Sequence, residues 1–240
     1  VSKGQLIIDT PAQSISEVQT LVENVLLGKG VKRSNINYIG AIGSVSSFQT
    51  GSTATNMGIK KGLILSTGNV NDAIGPNQAT DKTSEFGTTG DADLNKLSNC
   101  SSCTQDAAVL SFNFIPSNDT LKFRYVFASE EYPEYVCSNF NDIFGFFVTG
   151  PKPGGGNYSK TNIALVPNTA LPVAIKTINP GTPGINPLTG VPYSKSGCTS
   201  LAYSSLYVDN TNGISIEYDG FTTTLTAWAL VVPCQTYTIK

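Results

Sequence analysis

The first strong hydrophobic pattern along the chain is helical. Ser14, followed three residues later by Glu17, matches the capping box that begins many helices. Gly28 and Gly30 then provide a natural end, because glycine favours the position just after a helix. Between these signals, apolar residues recur at spacings of three and four, as on one face of an α-helix: Ile15, Val18, Leu21, Val22, Val25 and Leu26.

After this helix the pattern predicts short strands separated by turn residues. Residues 121–127 alternate apolar side chains with Lys122 and Arg124, which indicates a strand with one buried and one wetter face. Residues 143–148 are apolar on both faces and are expected to form a central strand. The predicted strands are 62–67, 108–115, 121–128, 143–149, 163–166, 173–178, 214–218, 222–232 and 236–240.

Many short strands and a single clear helix predict a mainly β fold. We expect a β-sandwich or jelly-roll with one N-terminal helix and long loops. Segments 69–105 and 179–200 are polar or rich in Pro and Gly, and are expected to be those loops. Neither an internal repeat nor a dividing linker is visible, so residues 1–240 are interpreted as one domain.

Composition excludes several classes of function. Charged residues make up only 13% of the chain, about half of the roughly 25% usual in soluble domains, which favours a secreted or cell-surface protein. A net charge of −2 without a Lys/Arg block excludes nucleic acid as a partner. Apolar runs such as 227–232 are far shorter than the roughly 20 residues that span a bilayer. The absence of histidine removes Ser-His-Asp triads and histidine-containing zinc sites.

The cysteines favour disulfides in an oxidising compartment. A four-sulfur zinc site is the alternative, because two of the cysteines are spaced as in a zinc knuckle. An odd number leaves one thiol free or paired with another chain. The candidates are Cys100, Cys103, Cys137, Cys198 and Cys234.

Acids and amides are concentrated between two apolar runs in segment 123–151. Ser129 stands where the first run ends, and Asn139 stands where the second begins. Oxygen-rich side chains suit hard cations, and calcium takes six to eight oxygens from several chain segments. Asp91 and Asp93, two positions apart in a distant loop, add two carboxylates. The predicted calcium ligands are Asp91, Asp93, Glu130, Glu131, Asn141 and Asp142. The alternative is two solvated acidic loops that never meet.

The same region offers two other chemistries. Glu130 with Asp142 could form the carboxylate pair of a glycoside hydrolase, whereas adjacent Glu130 and Glu131 would point to opposite faces. Tyr132, Tyr135 and Phe140 could form a rim for a glycan or peptide, or could pack the base of the loop. The chain has a single tryptophan, at position 228, and its strand is expected to lie in the core. The sequence therefore lacks the row of several tryptophans that would support a sugar-binding cleft.

An ordered series of motifs resembles the choice-of-anchor L domain family of secreted proteins from Bacteroidetes and other bacteria. The most specific is FASEEYPEYVCSNFNDIFGFFVTGP at 127–151. The others, in chain order, are GLILSTG at 62–68, GDADLN at 90–95, DAAVLSFNF at 106–114, NIALVP at 162–167, YVDN at 207–210 and YDGFTTTLTA at 218–227. The resemblance covers nearly the whole chain and implies an extracellular domain whose host proteins use different anchors. Because the acids fall on these motifs, it also favours the calcium site.

The resemblance implies a further C-terminal strand beyond Lys240, so the domain is expected to lack its last strand or to receive one from another chain. We therefore expect a non-enzymatic binding or assembly domain, either an adhesin module or a subunit of a surface structure, stabilised by calcium. Its partner would be a protein or glycan at the cell surface. A carbohydrate-binding module is the alternative, and a carboxylate glycoside hydrolase a further one.

Overall fold

The computed structural model describes residues 5–27, 31–51 and 55–240. Within them the fold is mainly β, as predicted, and its strands form several antiparallel sheets. The strands are β1 Leu6–Ile8, β2 Lys32–Ile39, β3 Val45–Thr50, β4 Lys61–Leu65, β5 Val109–Ile115, β6 Thr120–Tyr125, β7 Ala128–Ser129, β8 Ile143–Phe144, β9 Phe147–Pro151, β10 Asn157–Asn162, β11 Val173–Ala174, β12 Tyr207–Asp209, β13 Gly220–Thr222, β14 Leu225–Leu230 and β15 Tyr237–Ile239.

The predicted N-terminal helix is confirmed. Helix α1 spans Ile15–Leu21 and continues as a π-helical turn over Val22–Leu26. The Ser14 hydroxyl accepts a hydrogen bond from the Glu17 amide at 3.3 Å, so the cap works as expected. Gly28 and Gly30, the predicted stop, fall outside the described residues.

The main core lies under a five-stranded sheet with the order β10-β9-β15-β5-β2. Alternate residues of β5, including Phe112 and Phe114, point inward, and Val148, Tyr237 and Ile239 join them from the neighbouring strands. Helix α1 and the ribbon of β6 paired with β14 cover this face with apolar side chains. Burial of these side chains is the main stabilising term of the fold.

Two shorter sheets carry the acidic segment. The three-stranded sheet has the order β12-β13-β7, and β11 pairs with β8. Smaller apolar clusters lie beneath them, one around Tyr132 and Ile175 and another around Val166 and Ile178. Among the described residues, no helix is long and apolar enough to cross a membrane.

Several predicted strands differ from those observed. Residues 143–149 divide into β8 and β9, and only β9 lies inside the large sheet. Residues 163–166 and 214–218 are buried in part but form only isolated bridges. Strands β1, β2, β3, β10 and β12 were not predicted. The segment 69–105, predicted as a loop, contains a short helix α2, Ala92–Leu97, and a 3-10 turn at Val70–Ala73.

Candidate functional site

The loop after β7 is fixed to the core by an aromatic side chain. Tyr132 is fully buried, and its hydroxyl donates to the carbonyl of Ile178 at 2.5 Å. Its ring lies 4.9 Å from that of Tyr207. A Cβ on Gly220 would approach the Tyr132 Cβ to 2.7 Å, so only glycine lets β13 pass this close. The acids on both sides of Tyr132 therefore stand on a rigid base.

A disulfide holds the far end of the same loop. Cys137, which is buried, is joined to Cys198, and Cys100 is joined to Cys103. Cys234 is free and exposed. The predicted disulfides are confirmed for four cysteines, and the alternative of a four-sulfur zinc site is wrong because its sulfurs are oxidised in pairs.

Strand pairing brings acids from distant parts of the chain together. In the β7–β13 pair, Gly220 lies opposite Ser129. Because the strands are antiparallel, Asp219, just before Gly220, comes beside Glu130, just after Ser129. The acids whose charges act on one another in this region are called the acidic pocket: Glu130, Glu134, Glu217 and Asp219.

Glu130 has the most unusual environment in the acidic pocket. Both of its carboxylate oxygens are inaccessible to solvent and neither has a hydrogen-bond partner. Burial, followed by the charges of Asp219 and Glu217, raises the pKa of Glu130 to about 8. Burial and the nearby charge of Asp219 also raise the pKa of Glu134. Like charges in a poorly solvated space disfavour ionisation, so the pocket needs protons or a cation.

The wall of the acidic pocket is held by a separate loop. The backbone amides of Gln78 and Ala79 donate to the Glu217 carboxylate at 3.2–3.3 Å. The side-chain amide of Asn77 donates to Asp219 Oδ1 at 2.7 Å, whereas Asp219 Oδ2 has no partner. Glu217 is 5% exposed and Asp219 is 2% exposed. Both carboxylates are therefore fixed in position, and one oxygen remains unsatisfied.

Glu131 lies in a different environment from Glu130. Burial, followed by the charges of Asp142 and Glu134, raises the pKa of Glu131 to about 7. Asp142 accepts a hydrogen bond from the Ser129 hydroxyl at 2.6 Å. The pairing of Glu130 with Asp142 as the carboxylates of a glycoside hydrolase stays an alternative prediction. Asn141 accepts from the Lys176 amide at 3.3 Å.

Asp91 and Asp93 form a separate cluster neutralised by lysines. Lys240 Nζ lies 2.6 Å from a carboxylate oxygen of each aspartate. Lys160 Nζ lies 3.1 Å from Asp93, which is 4% exposed. Asp91 also caps α2 by accepting from the amides of Asp93 and Leu94 at 2.9 and 3.1 Å. Burial alone would raise the pKa of Asp93, but Lys240 and Lys160 together lower it below its usual value.

The six predicted calcium ligands thus fall into groups with different partners. Asp91 and Asp93 form ion pairs with lysines, whereas burial and the charges of other acids raise the pKa of Glu130 and of Glu131. Across the described ranges, no three acidic or cysteine side chains already stand at the spacing of a metal site. Calcium binding by the predicted set stays a prediction.

The predicted aromatic rim is divided. Tyr132 cannot belong to it, because it lies in the core at the base of the loop, as the alternative interpretation proposed. Tyr135 and Phe140 form an edge-to-face pair with ring centroids 5.1 Å apart, and Phe140 is 56% exposed. A small aromatic surface therefore remains beside the loop.

An aromatic surface that the sequence did not reveal lies on the ribbon of β6 and β14. Position 228 was interpreted as core, which is wrong: Ala227 and Ala229 point inward, and Trp228 between them is 57% exposed. The register places it opposite Lys122. The outward side chains of the ribbon are called the ribbon face: Thr120, Lys122, Arg124, Thr226, Trp228 and Leu230. The alternation of small and large side chains in β14 is the signal that could have identified it.

Comparison with known proteins places the whole arrangement in one family. The family model described as the choice-of-anchor L domain matches residues 9–240. No curated protein and no solved structure matches the chain.

Proposed function

This chain belongs to the choice-of-anchor L domain family, and from that premise we propose that it is a binding or assembly domain, an adhesin module or a subunit of a surface structure, stabilised by calcium. An extracellular, surface-associated role follows from the family itself. The disulfides between Cys137 and Cys198 and between Cys100 and Cys103 agree with an oxidising compartment.

The observation that carries the binding role is the ribbon face. Trp228 and Leu230 are 57% and 47% exposed there, although the opposite side of the same strand is buried. Tryptophan is strongly enriched where proteins bind partners, because it offers a large, rigid contact surface. Lys122 and Arg124 stand beside it and the ribbon face has no acidic side chain, so a partner with acidic or hydroxyl groups fits best.

A carbohydrate is the second candidate partner, and Trp228 is the reason for considering it. An indole ring can cover the apolar face of a sugar while neighbouring Lys122 and Arg124 donate hydrogen bonds to its hydroxyl or carboxylate groups. The exposed ring on a flat two-stranded surface suits an extended glycan better than a small, enclosed ligand.

A pair of matched variants tests the binding role. Purified wild type, Trp228→Ala and Phe140→Ala would be compared for binding to intact cells and to an array of neutral and acidic glycans. We expect Trp228→Ala to lose binding and Phe140→Ala, which removes an aromatic ring of similar exposure, to keep it. The reverse result would assign binding to the aromatic pair of Tyr135 and Phe140. Equal binding by all three proteins would refute a binding role for either surface. If the domain binds to cells but to none of the glycans on the array, a protein partner is favoured.

Assembly through a completing strand stays part of the proposal. Strand β15 has β5 on one side and β9 on the other, so an added strand would have to join the large sheet at β10 or β2. Sedimentation of the purified domain over a range of concentrations tests this, since a monomer at every concentration would contradict self-assembly.

A further inference from the structure

The cations of the ribbon face have no acid to pair with in the described part of the chain. Lys122 and Arg124 are outward, exposed residues of β6, and none of the ion pairs among the described residues includes either of them. Arg124 Nη2 donates to the carbonyl of Gly58 at 3.4 Å. Because a guanidinium has five N–H donors, most of those of Arg124 are left for water or for another molecule.

The pairing of β6 with β14 sets these cations beside an exposed indole ring. Lys122 lies directly opposite Trp228, and Arg124 lies opposite Thr226. Side chains that face each other across an antiparallel pair start about 5 Å apart, and those two positions apart along a strand start about 7 Å apart. Both cations are therefore within reach of a molecule that covers the Trp228 ring.

The ring of Trp228 is not used for packing inside the molecule. Its side chain is 57% exposed. Within the described ranges, neither a cation nor another aromatic ring stacks on it. A large apolar ring surface is thus left open beside two positive charges.

The ribbon face forms one shallow, continuous groove. Its six side chains together line an open space of about 690 Å³. A bound peptide strand gains its affinity from main-chain hydrogen bonds at the edge of a sheet and its specificity from separate side-chain pockets, whereas this groove lies on the outward face. A continuous groove with an aromatic ring and two cations suits a chain of sugar rings better.

We propose that the ribbon face binds a linear polysaccharide that carries carboxylate groups, as polymers of uronic acids do. Trp228 covers the apolar face of one sugar ring, and Lys122 and Arg124 bind the carboxylates of that sugar and of its neighbour. Two cations about 7 Å apart, in a chain without a Lys/Arg block, suit a polymer with about one charge per sugar better than a densely sulfated one. This inference rests on the proposed binding role of the ribbon face and names the chemical class of the partner.

Binding of defined oligomers tests the inference. The purified domain is titrated by calorimetry with short oligomers of polygalacturonate and of alginate, with the methyl ester of the first, with a densely sulfated oligosaccharide and with poly-L-glutamate. The methyl ester is the matched control for the ligand, because it keeps the sugar rings and loses the charges. We expect at least one of the two uronate oligomers to bind, and the other three probes to bind about tenfold more weakly or not at all.

Variants of the ribbon face separate the role of the ring from that of the charges. Trp228→Ala should lower the affinity for the uronate oligomer about tenfold or more. Lys122→Gln and Arg124→Gln should each lower it about two- to fivefold, and added salt should weaken binding less in these variants than in wild type. Lys195→Gln, which removes an exposed cation from the 3-10 turn Lys195–Gly197, is the matched control and should bind as wild type does.

Several results would overturn the inference. Failure of both uronate oligomers to bind, or equal binding of the methyl ester, would show that carboxylates are not recognised. Tighter binding of the sulfated oligosaccharide or of poly-L-glutamate would identify a different anionic partner, and an equal loss in Lys195→Gln would mean an effect of net charge alone. Circular dichroism of each variant separates lost binding from lost folding.

The binding role of the ribbon face is judged separately, by the binding of the domain to intact cells. If Trp228→Ala loses cell binding but no uronate oligomer binds, the proposed function stands and the polysaccharide is wrong. If Trp228→Ala keeps full cell binding, the ribbon face is not the binding surface and both proposals fail.

Discussion

Replacing Lys240 by methionine should destabilise the domain, mainly through the buried carboxylate of Asp93. Lys240 Nζ lies 2.6 Å from Asp93 Oδ2, and the Asp93 side chain is 5% exposed. The change keeps most of the apolar stem of the side chain but removes its charge. Asp93 then remains buried with Lys160 as its main partner, and the Lys160 side chain is 63% exposed.

The size of the effect follows from these contacts. Breaking a buried ion pair by removing one partner costs about 3–5 kcal/mol. The remaining exposed pair with Lys160 offsets up to roughly 1 kcal/mol. We therefore expect a loss of about 3 kcal/mol at pH 7, which corresponds to a fall of roughly 6–12 °C in Tm for a chain of this size.

The loss should depend on pH in a defined direction. Burial alone would raise the pKa of Asp93 in the folded protein, but Lys240 and Lys160 together lower it below its usual value. The stabilisation is therefore present above the unfolded pKa and disappears as the pH falls through the folded pKa. In Lys240→Met, burial dominates and Asp93 takes up its proton at a higher pH. The difference between the two proteins should be largest near neutrality and should be smaller at about pH 3, where Asp93 of the unfolded chain is mostly protonated.

Urea unfolding followed by circular dichroism at both pH values measures this difference. Lys96→Met is the matched control, because Lys96 lies 4.0 Å from the same aspartate but its side chain is 79% exposed. Adding Asp93→Asn should remove much of the cost of Lys240→Met, since Asp91, which also loses Lys240, keeps its hydrogen bonds from the backbone amides at the start of helix α2. Equal losses in Lys96→Met and Lys240→Met, or an unchanged loss at about pH 3, would refute the reasoning.

Two further changes test the scaffold by equilibrium unfolding. Replacing Cys137 and Cys198 by alanine should lower the free energy of unfolding by about 4 kcal/mol, and replacing Cys100 and Cys103 by about 2 kcal/mol. The first disulfide closes a longer loop, with a sequence separation of 61 against 3, and so restricts the unfolded chain more. Equal losses would contradict this reasoning. Ser14→Ala should lower the free energy of unfolding by about 1 kcal/mol through the lost cap of α1, and unchanged stability would contradict a stabilising cap.

Local signals explain what the sequence could predict of the fold. Helix α1 follows a helical spacing of apolar residues, and β5 follows a strict alternation of inward and outward residues. Both patterns can be recognised within a short stretch of sequence. Strand β2 lacks such a period, because it lies at the edge of the large sheet and its first four residues are all exposed. Helix α2 is only six residues long, too short for a helical period to emerge, although Asp91 provides its cap.

The contacts of the candidate site could not be predicted from local sequence patterns. Glu130 stands out in the sequence as an acid between apolar runs, but its neighbour Asp219 is brought to it only by the β7–β13 pairing. Asp91 and Asp93 have the composition of metal ligands, and only the folded chain places Lys160 and Lys240 against them. Whether an acidic cluster holds a metal or a lysine is decided by residues far away in the chain.

The position of β15 has a consequence for the order of folding. Residues 237–239 form the middle strand of the large sheet, between β9 and β5. A chain that emerges from a ribosome or a translocation pore with its N-terminus first cannot close this sheet until those residues have followed. Until then β9 and β5 each have one edge without its partner strand, which is the kind of edge that pairs with other chains. The large sheet therefore closes late, only once β15 is available to pair with both neighbours.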